Sequence, residues 1–270
     1  FRTERRECDI EEEWAFMLPA LDGAIADYVD MRTKEGEKAY ADISAKVELV
    51  RSYADEVEKI SAEDASARAH PIIVIDAGHG GEDGGASGED GTKEKDLNLL
   101  VAQALSDILT AAGYDVRMTR TNDCLLYDLY GDLTDYTGHK KTYDLRNRLR
   151  FTKEAGADLL ISIHMNKFPQ AQYSGLQVYY STGAPESRTV AGVIRNYTKQ
   201  YLQPQNEREI KAATSSIYLL HRCDIPAVMV ECGFLSNEEE LSRLKDETYR
   251  RQLALVIACA AAESLSGVKQ

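Results

Sequence analysis

Two histidines and two glutamates carry the chemistry this sequence suggests. His79 lies in the run Pro71-Ile-Ile-Val-Ile-Asp-Ala-Gly-His-Gly-Gly81, His164 closes Leu159-Leu-Ile-Ser-Ile-His164, Glu231 closes Ala227-Val-Met-Val-Glu231, and Glu94 opens a helical pattern beyond the first loop. Three of the four follow apolar runs short enough to be buried strands. Parallel strands present their carboxyl ends along one edge, where open α/β sheets place their ligands. Residues distant in sequence can therefore meet there. Two imidazoles and one carboxylate with an open fourth position form a catalytic zinc arrangement, and a further carboxylate beside the bound water supplies proton transfer. Singly, each residue has a plainer reading: His79 a turn cap, His164 a core histidine, Glu94 a helix-start carboxylate facing the macrodipole, Glu231 an arginine partner. Their common placement at strand and loop ends weakens those readings together.

Other chemistries find no support. The loop Gly78-x-Gly80-x-x-x-Gly84 misses the dinucleotide spacing and lacks the Lys-Ser/Thr of a phosphate loop; neither a GxSxG elbow nor HExxH occurs. Cys8, Cys124, Cys223, Cys232 and Cys259 are odd in number and widely spaced, with no CxxC pair, so buried free thiols are expected. His70, His139 and His221 lie outside the strand-end pattern.

The elements that must position the four residues alternate between strand and helix from Pro71 onward. Strands are expected at Ile72–Ile75, Asp115–Thr119, Leu159–Ile163, Leu176–Tyr180 and Ala227–Val230. Helices are expected from Thr92 to Gly113 and over Leu145–Glu154, Ser187–Tyr201 and Thr248–Leu265. Residues 120–143 are polar, tyrosine-rich and aperiodic, a long loop of the kind that is usually functional, either walling a groove or forming a surface insertion. Before Pro71 the pattern is purely helical. Trp14, Leu18, Leu21, Ile25 and Tyr28 recur at three- and four-residue steps, and after Lys34-Glu35-Gly36 so do Tyr40, Ile43, Val47, Val50, Ala54 and Val57. The expected architecture is an α/β fold with a mostly parallel sheet flanked by helices, preceded by an N-terminal helical hairpin or coiled-coil arm. The domains are residues 1–69 and 70–270, joined at the polar, alanine-rich segment Ser61–His70.

The net charge of −13 disfavours nucleic acid as a partner. It is uneven: residues 1–70 hold 10 basic and 18 acidic side chains. No apolar run approaches the roughly 18 residues of a membrane span. No apolar signal region follows Phe1, so export is not legible at this end.

Four segments in order carry a family resemblance: Ile75-Asp-Ala-Gly-His-Gly-Gly81, Glu94-Lys-Asp-Leu-Asn98, Ser162-Ile-His-Met-Asn166 and Pro226-Ala-Val-Met-Val-Glu-Cys-Gly-Phe-Leu-Ser-Asn237. On these, residues 71–265 resemble the zinc-dependent N-acetylmuramoyl-L-alanine amidases of the Amidase_3 type. The resemblance implies that His79, Glu94 and His164 hold one Zn²⁺, that Glu231 is the catalytic carboxylate, that Asn166 borders the substrate and that Arg148 is structural. It implies an extracytoplasmic enzyme cleaving the amide between N-acetylmuramic acid and L-alanine in peptidoglycan. Ser174-Gly-Leu-Gln177, Arg208-Glu-Ile-Lys211 and Ser216-Ile-Tyr-Leu-Leu220 look most like the CwlD-type members, which implies a part in spore cortex maturation and germination. Lys153 departs from the family pattern, where an asparagine is common. The rival readings are a catalytically inactive wall-binding or scaffolding module on the same fold, and an RNA-acting protein. The N-terminal helices, open to a partner protein, are similar around Ala20-Leu21 and Met31-Arg-Thr-Lys-Glu-Gly-Glu37 to the middle helical region of the YicC-like endoribonuclease family, and no nuclease residue is carried over from it.

Overall fold

In a computed structural model of the protein, residues 10–63 and 70–267 are described. The chain divides into two compact units, residues 1–56 and 57–270. The first is built on a single helix, α1, Ile10–Glu63. The break expected at Lys34-Glu35-Gly36 does not form, so this part is one long arm and no hairpin. A lone glycine costs a helix only about 1 kcal/mol relative to alanine, and good helix formers surround Gly36. Exposed pairs Lys34–Asp30 and Arg32–Glu35 span adjacent turns just before it. Tyr28, Tyr40, Ile43, Val47 and Val50 are exposed along α1. The side chains of Trp14, Leu18, Leu21, Ile25, Ala54 and Val57 lie outside the described residues, as does segment 64–69 of the expected boundary.

The second unit contains six strands: β1 Ile72–Ala77, β2 Asp115–Met118, β3 Leu159–Asn166, β4 Gln177–Tyr180, β5 Lys211–Ala212 and β6 Ala227–Phe234. Its helices are α2 Glu94–Ala111, α3 Lys140–Glu154, α4 Glu186–Tyr201, α5 Tyr218–Arg222, α6 Glu238–Lys245 and α7 Glu247–Gly267. The strands form one sheet in the order β2-β1-β3-β6-β4-β5. All neighbours are parallel except β4, which runs antiparallel to β6. The sequence pattern did not resolve β5, α5 or α6. Two are five residues or fewer, and α6 is marked only by Asn237, whose side chain caps it by accepting from the Glu240 amide.

Strand alternation sorts the core into two layers. Ile73, Ile75, Ile161, Ile163, Val228 and Val230 pack under α2, α4 and α7, while Val74, Leu160, Ala227 and Met229 pack under α3 and α5. On that second face the same alternation carries Asp76, Ser162, His164 and Glu231 towards the carboxyl edge, with Asp76 paired to Ser162 and His164 to Glu231 in register.

Asp76 is the base of this polar layer. Its carboxylate accepts from Arg148 Nη1 (2.6 Å), Ser162 Oγ (2.7 Å) and Thr119 Oγ1 (2.8 Å). Arg148 is almost wholly buried and is paired a second time, from Nε to Asp144 (2.8 Å). Burial opposes the charge on Asp76, but Arg148 and the Ser162 hydroxyl outweigh it and hold the pKa at about 2 instead of 3.8. A depressed carboxyl pKa means stability present above the unfolded value and lost as pH falls from about 4 through about 2. Asp76→Asn should therefore cost about 2–3 kcal/mol at neutral pH, with the gap to the parent closing towards pH 2. Urea unfolding across that range measures it, and equal midpoints at pH 7 would refute the role given to this carboxylate.

Candidate metal centre

His79 follows β1 in a turn that no strand supports. Its φ is +62°, a left-handed conformation that costs a side-chain-bearing residue about 1–2 kcal/mol, and Gly80 and Gly81 continue with positive φ. Side-chain donors hold the backbone instead. The carbonyl of Ala77 accepts from Arg120 Nε and Arg148 Nη1 (both 2.8 Å), that of Gly78 from Asn98 and Arg120 Nη2 (both 3.0 Å), that of His79 from Arg148 Nη2 (2.7 Å), and that of Gly81 from Lys95 (2.8 Å). Asn98 and Lys95 belong to α2, so the helix that begins with Glu94 also fixes the turn that carries His79.

Glu94 is buried, and five groups converge on its carboxylate. Oε2 accepts from the Ala86 amide (2.8 Å), and Oε1 from the Met165 amide (3.2 Å) and Asn98 (3.4 Å). His164 Nδ1 lies 2.9 Å and His79 Nε2 3.3 Å from the same Oε1. The two rings meet edge to face, centroids 4.9 Å apart. Burial raises the Glu94 pKa, but the hydrogen bonds with His164 and His79 dominate and hold it well below the usual carboxylate range. Burial disfavours charge on His79 as well, and Glu94 and Asp83 outweigh it, so that its pKa rises. One potential ligand atom from each of His79, Glu94 and His164 lies within 4.8 Å of the other two. The carboxylate already placed to neutralise positive charge on either ring is thus placed to share a divalent cation with them. Two imidazoles and a carboxylate suit Zn²⁺ in charge and softness.

Glu231, opposite His164 in the sheet register, stands differently. Its Oε2 is enclosed and has no hydrogen-bond partner among the described residues. Burial pushes its pKa up, with Glu94 adding to that and both histidines opposing it. A carboxyl so placed holds its proton to higher pH than a free one. Asn166 ends β3; its carbonyl accepts from the Leu235 amide (2.8 Å), and its side chain makes no hydrogen bond among the described residues. His70, His139 and His221 are exposed and away from this cluster. Among the described cysteines, Cys223 and Cys232 are buried and Cys124 and Cys259 half-buried, all free.

Sequence pattern alone missed Asp83, which bonds His79 Nδ1 (2.9 Å) and so leaves Nε2 facing Glu94. Such carboxylate–imidazole pairs set the tautomer and orientation of metal-binding histidines. Asp83 also accepts from the Gly85 amide and pairs with Lys141 at 3.5 Å, tying the tyrosine-rich segment to the His79 turn. Within that segment Tyr127, Tyr136 and Tyr143 pack on one another edge to face, and Lys140 pairs with Glu82.

The family model for N-acetylmuramoyl-L-alanine amidases matches residues 73–263, most of the chain and every residue of the cluster. The chain belongs to this amidase family. Among the amidase's relatives, the germination-specific N-acetylmuramoyl-L-alanine amidase of Bacillus subtilis is 36% identical over 183 residues, covering 68% of this chain and 75% of that one. The amidase LytC of the same species is 31% identical over 187 residues, which is 34% of its length. Among solved structures, the CwlD amidase of Clostridioides difficile, determined in complex with the GerS lipoprotein, superposes with a TM-score of 0.68 at 37% identity, over 73% of this chain and all of that one. AmiC2 of Nostoc punctiforme gives 0.60 at 28% identity, over 74% and 98%.

The amidase fold tolerates no side chain at Gly78: an added Cβ would lie 2.2 Å from His164 Nε2. Gly78→Ala should therefore leave far-UV circular dichroism unchanged while weakening Zn²⁺ binding at least tenfold in a chelator competition. Parent affinity in this variant would show that the His164 ring need not sit where it does.

Proposed function

We propose that this protein is a zinc-dependent hydrolase of the amide joining the lactyl group of N-acetylmuramic acid to L-alanine in peptidoglycan, with residues 70–270 as its catalytic domain and residues 1–69 as a helical arm. The observation that carries the reading is the convergence of His79, Glu94 and His164 donor atoms within 4.8 Å, beside a partnerless Glu231 oxygen. His79, Glu94 and His164 would hold the ion. When bound, Zn²⁺ supplies Lewis acidity, polarising the scissile carbonyl and acidifying water, worth several kcal/mol.

Glu231 accepts the proton of the attacking water at Oε2 and returns it to the nitrogen of the departing L-alanine, a role worth about 10²–10⁴ in rate. The upward shift of its pKa favours the protonated form that delivers a proton to the departing amine. Asp83 keeps His79 in one tautomer, and Arg148 and Arg120 keep the turn from relaxing out of its strained conformation. Asn166, with a free amide at the rim, is assigned to substrate binding.

Similarity to a germination-specific amidase and to CwlD supports a place in spore cortex maturation, and with it action outside the cytoplasmic membrane. No helix among the described residues is long and apolar enough to cross a membrane. The exposed apolar residues of α1 suit a protein partner; the CwlD structure holds a lipoprotein partner.

Glu231→Gln should keep one Zn²⁺ per chain and lose amide release from muropeptides by at least a hundredfold. The assay scores new N-terminal alanine, with RNA cleavage as the control. Turnover of Glu231→Gln at the parent rate would remove it as proton carrier, and a zinc-loaded parent that released no alanine would favour the inactive wall-binding module.

A further inference from the structure

Arg208 lies at the carboxyl edge of the sheet that also carries the proposed metal centre. It belongs to the segment that follows α4. Its neighbours in sequence are neutralised, Glu207 by Lys199 and Glu209 by Arg195, whereas Arg208 forms no ion pair among the described residues. Its backbone amide donates to Asn206 Oδ1 (2.9 Å) and its Nε to the Ser174 carbonyl (2.6 Å). Its guanidinium lies over the Phe234 ring, 4.5 Å from the centroid, with Tyr173 at 6.0 Å. The stem is thus clamped at one nitrogen and stacked on an aromatic face, with both terminal nitrogens left to donate. A guanidinium ordered in this way recognises carboxylate oxygens in pairs.

Arg208 lines a polar cavity of about 590 Å³ together with Tyr173, Asn206, Glu239 and Arg243. The acidic groups there are engaged. Glu239 pairs with Arg243 (3.0 Å), and buried Glu240 accepts from the Gly175 and Phe234 amides (both 2.8 Å). Arg243 shares the cavity but is tied through Nη2 to Glu239, whereas Arg208 meets no carboxylate among the described residues.

Sheet register fixes its place relative to the reaction. Gln177 of β4 pairs with Glu231 of β6, and the Gln177 side chain donates to the Glu209 carbonyl. Phe234, on which Arg208 stacks, lies in β6 three residues beyond Glu231, roughly 10 Å along that strand. An extended peptide advances about 3.3–3.6 Å per residue, so a group on the second or third residue beyond the cleaved bond reaches that distance. Exposed Phe168 packs edge to face on Tyr173, ring centroids 4.9 Å apart, and Tyr173 is the ring 6.0 Å from the Arg208 guanidinium.

We infer that Arg208, stacked on Phe234 and Tyr173, binds a carboxylate of the stem peptide and thereby selects peptidoglycan whose second or third stem residue is acidic over peptidoglycan in which that group is amidated. The inference rests on the proposed amidase reading and adds to it a specificity residue.

The test measures binding separately from turnover. Full-length protein carrying Glu231→Gln and loaded with Zn²⁺ is titrated by calorimetry with two muramoyl tripeptides, one with free carboxylates and one amidated at the second and third residues. Arg208→Met is then added, because methionine preserves apolar packing on Phe234 while removing the charge. The expected result is a Kd for the free-carboxylate ligand raised at least tenfold by Arg208→Met, with the amidated ligand bound about equally by both proteins. Arg208→Lys should restore the preference in part. A Kd within twofold of the parent for the free-carboxylate ligand, or equal losses for both ligands, would overturn the assignment. Hydrolysis is scored separately with Glu231 intact: ligand binding without alanine release would sink the amidase reading and leave the carboxylate subsite standing.

Discussion

The site depends on burying a guanidinium. Arg148 leaves water only because Asp76 and Asp144 flank it, and an unpaired charge in that position would cost several kcal/mol. Once buried, its remaining donors have a single use, which is to hold the carbonyls of Ala77 and His79. A turn with a left-handed histidine and three glycines has little intrinsic preference for one shape, and about 1–2 kcal/mol of strain favours its relaxation. Hydrogen bonds from charged donors are worth about 1.5–3 kcal/mol each. Arg148, Arg120 and Lys95 together make five to this turn, so the clamp prevails over the strain. His79, a proposed metal ligand, is held by ion pairing one layer beneath it.

The other two proposed ligands come from different physics. His164 is delivered by sheet register and alternation, which also set Glu231 opposite it. Glu94 is delivered by the start of α2, where amides of Ala86 and Met165 and the Asn98 side chain satisfy its carboxylate before any ion does. The consequence is that two neighbouring glutamates are shifted in opposite directions. Glu94 is hydrogen-bonded from all sides and stays charged. Glu231, whose enclosed Oε2 has no hydrogen-bond partner among the described residues, has its pKa pushed up by burial. Environment, more than residue type, separates the two roles proposed for these glutamates.

Much of this was legible in the sequence because it is local. The apolar runs before His79, His164 and Glu231 read as strands, and their order with the helices gives a parallel sheet whose edge collects those residues. What escaped is non-local or marginal. Asp83 looks like one more acidic residue in a polar loop until the turn brings it to His79, and Asp76, Asn98, Arg120 and Lys95 gain meaning only through carbonyls of a turn made elsewhere in the chain. The antiparallel β4 follows from a long connection that no periodicity encodes. Gly36 reads as a helix break, yet its cost of about 1 kcal/mol is too small to stop a helix that good formers propagate on both sides.

The account stands on three side chains gripping one ion. X-ray absorption at the zinc edge, on protein reconstituted with one equivalent of Zn²⁺ and quantified by elemental analysis, tests this most directly. It should show two imidazole nitrogens near 2.0–2.1 Å and carboxylate and water oxygens near 2.0–2.2 Å, with the imidazole signal halved in His79→Ala or His164→Ala. A protein that takes up no zinc, or a spectrum with sulfur ligands or unchanged by either substitution, would contradict it.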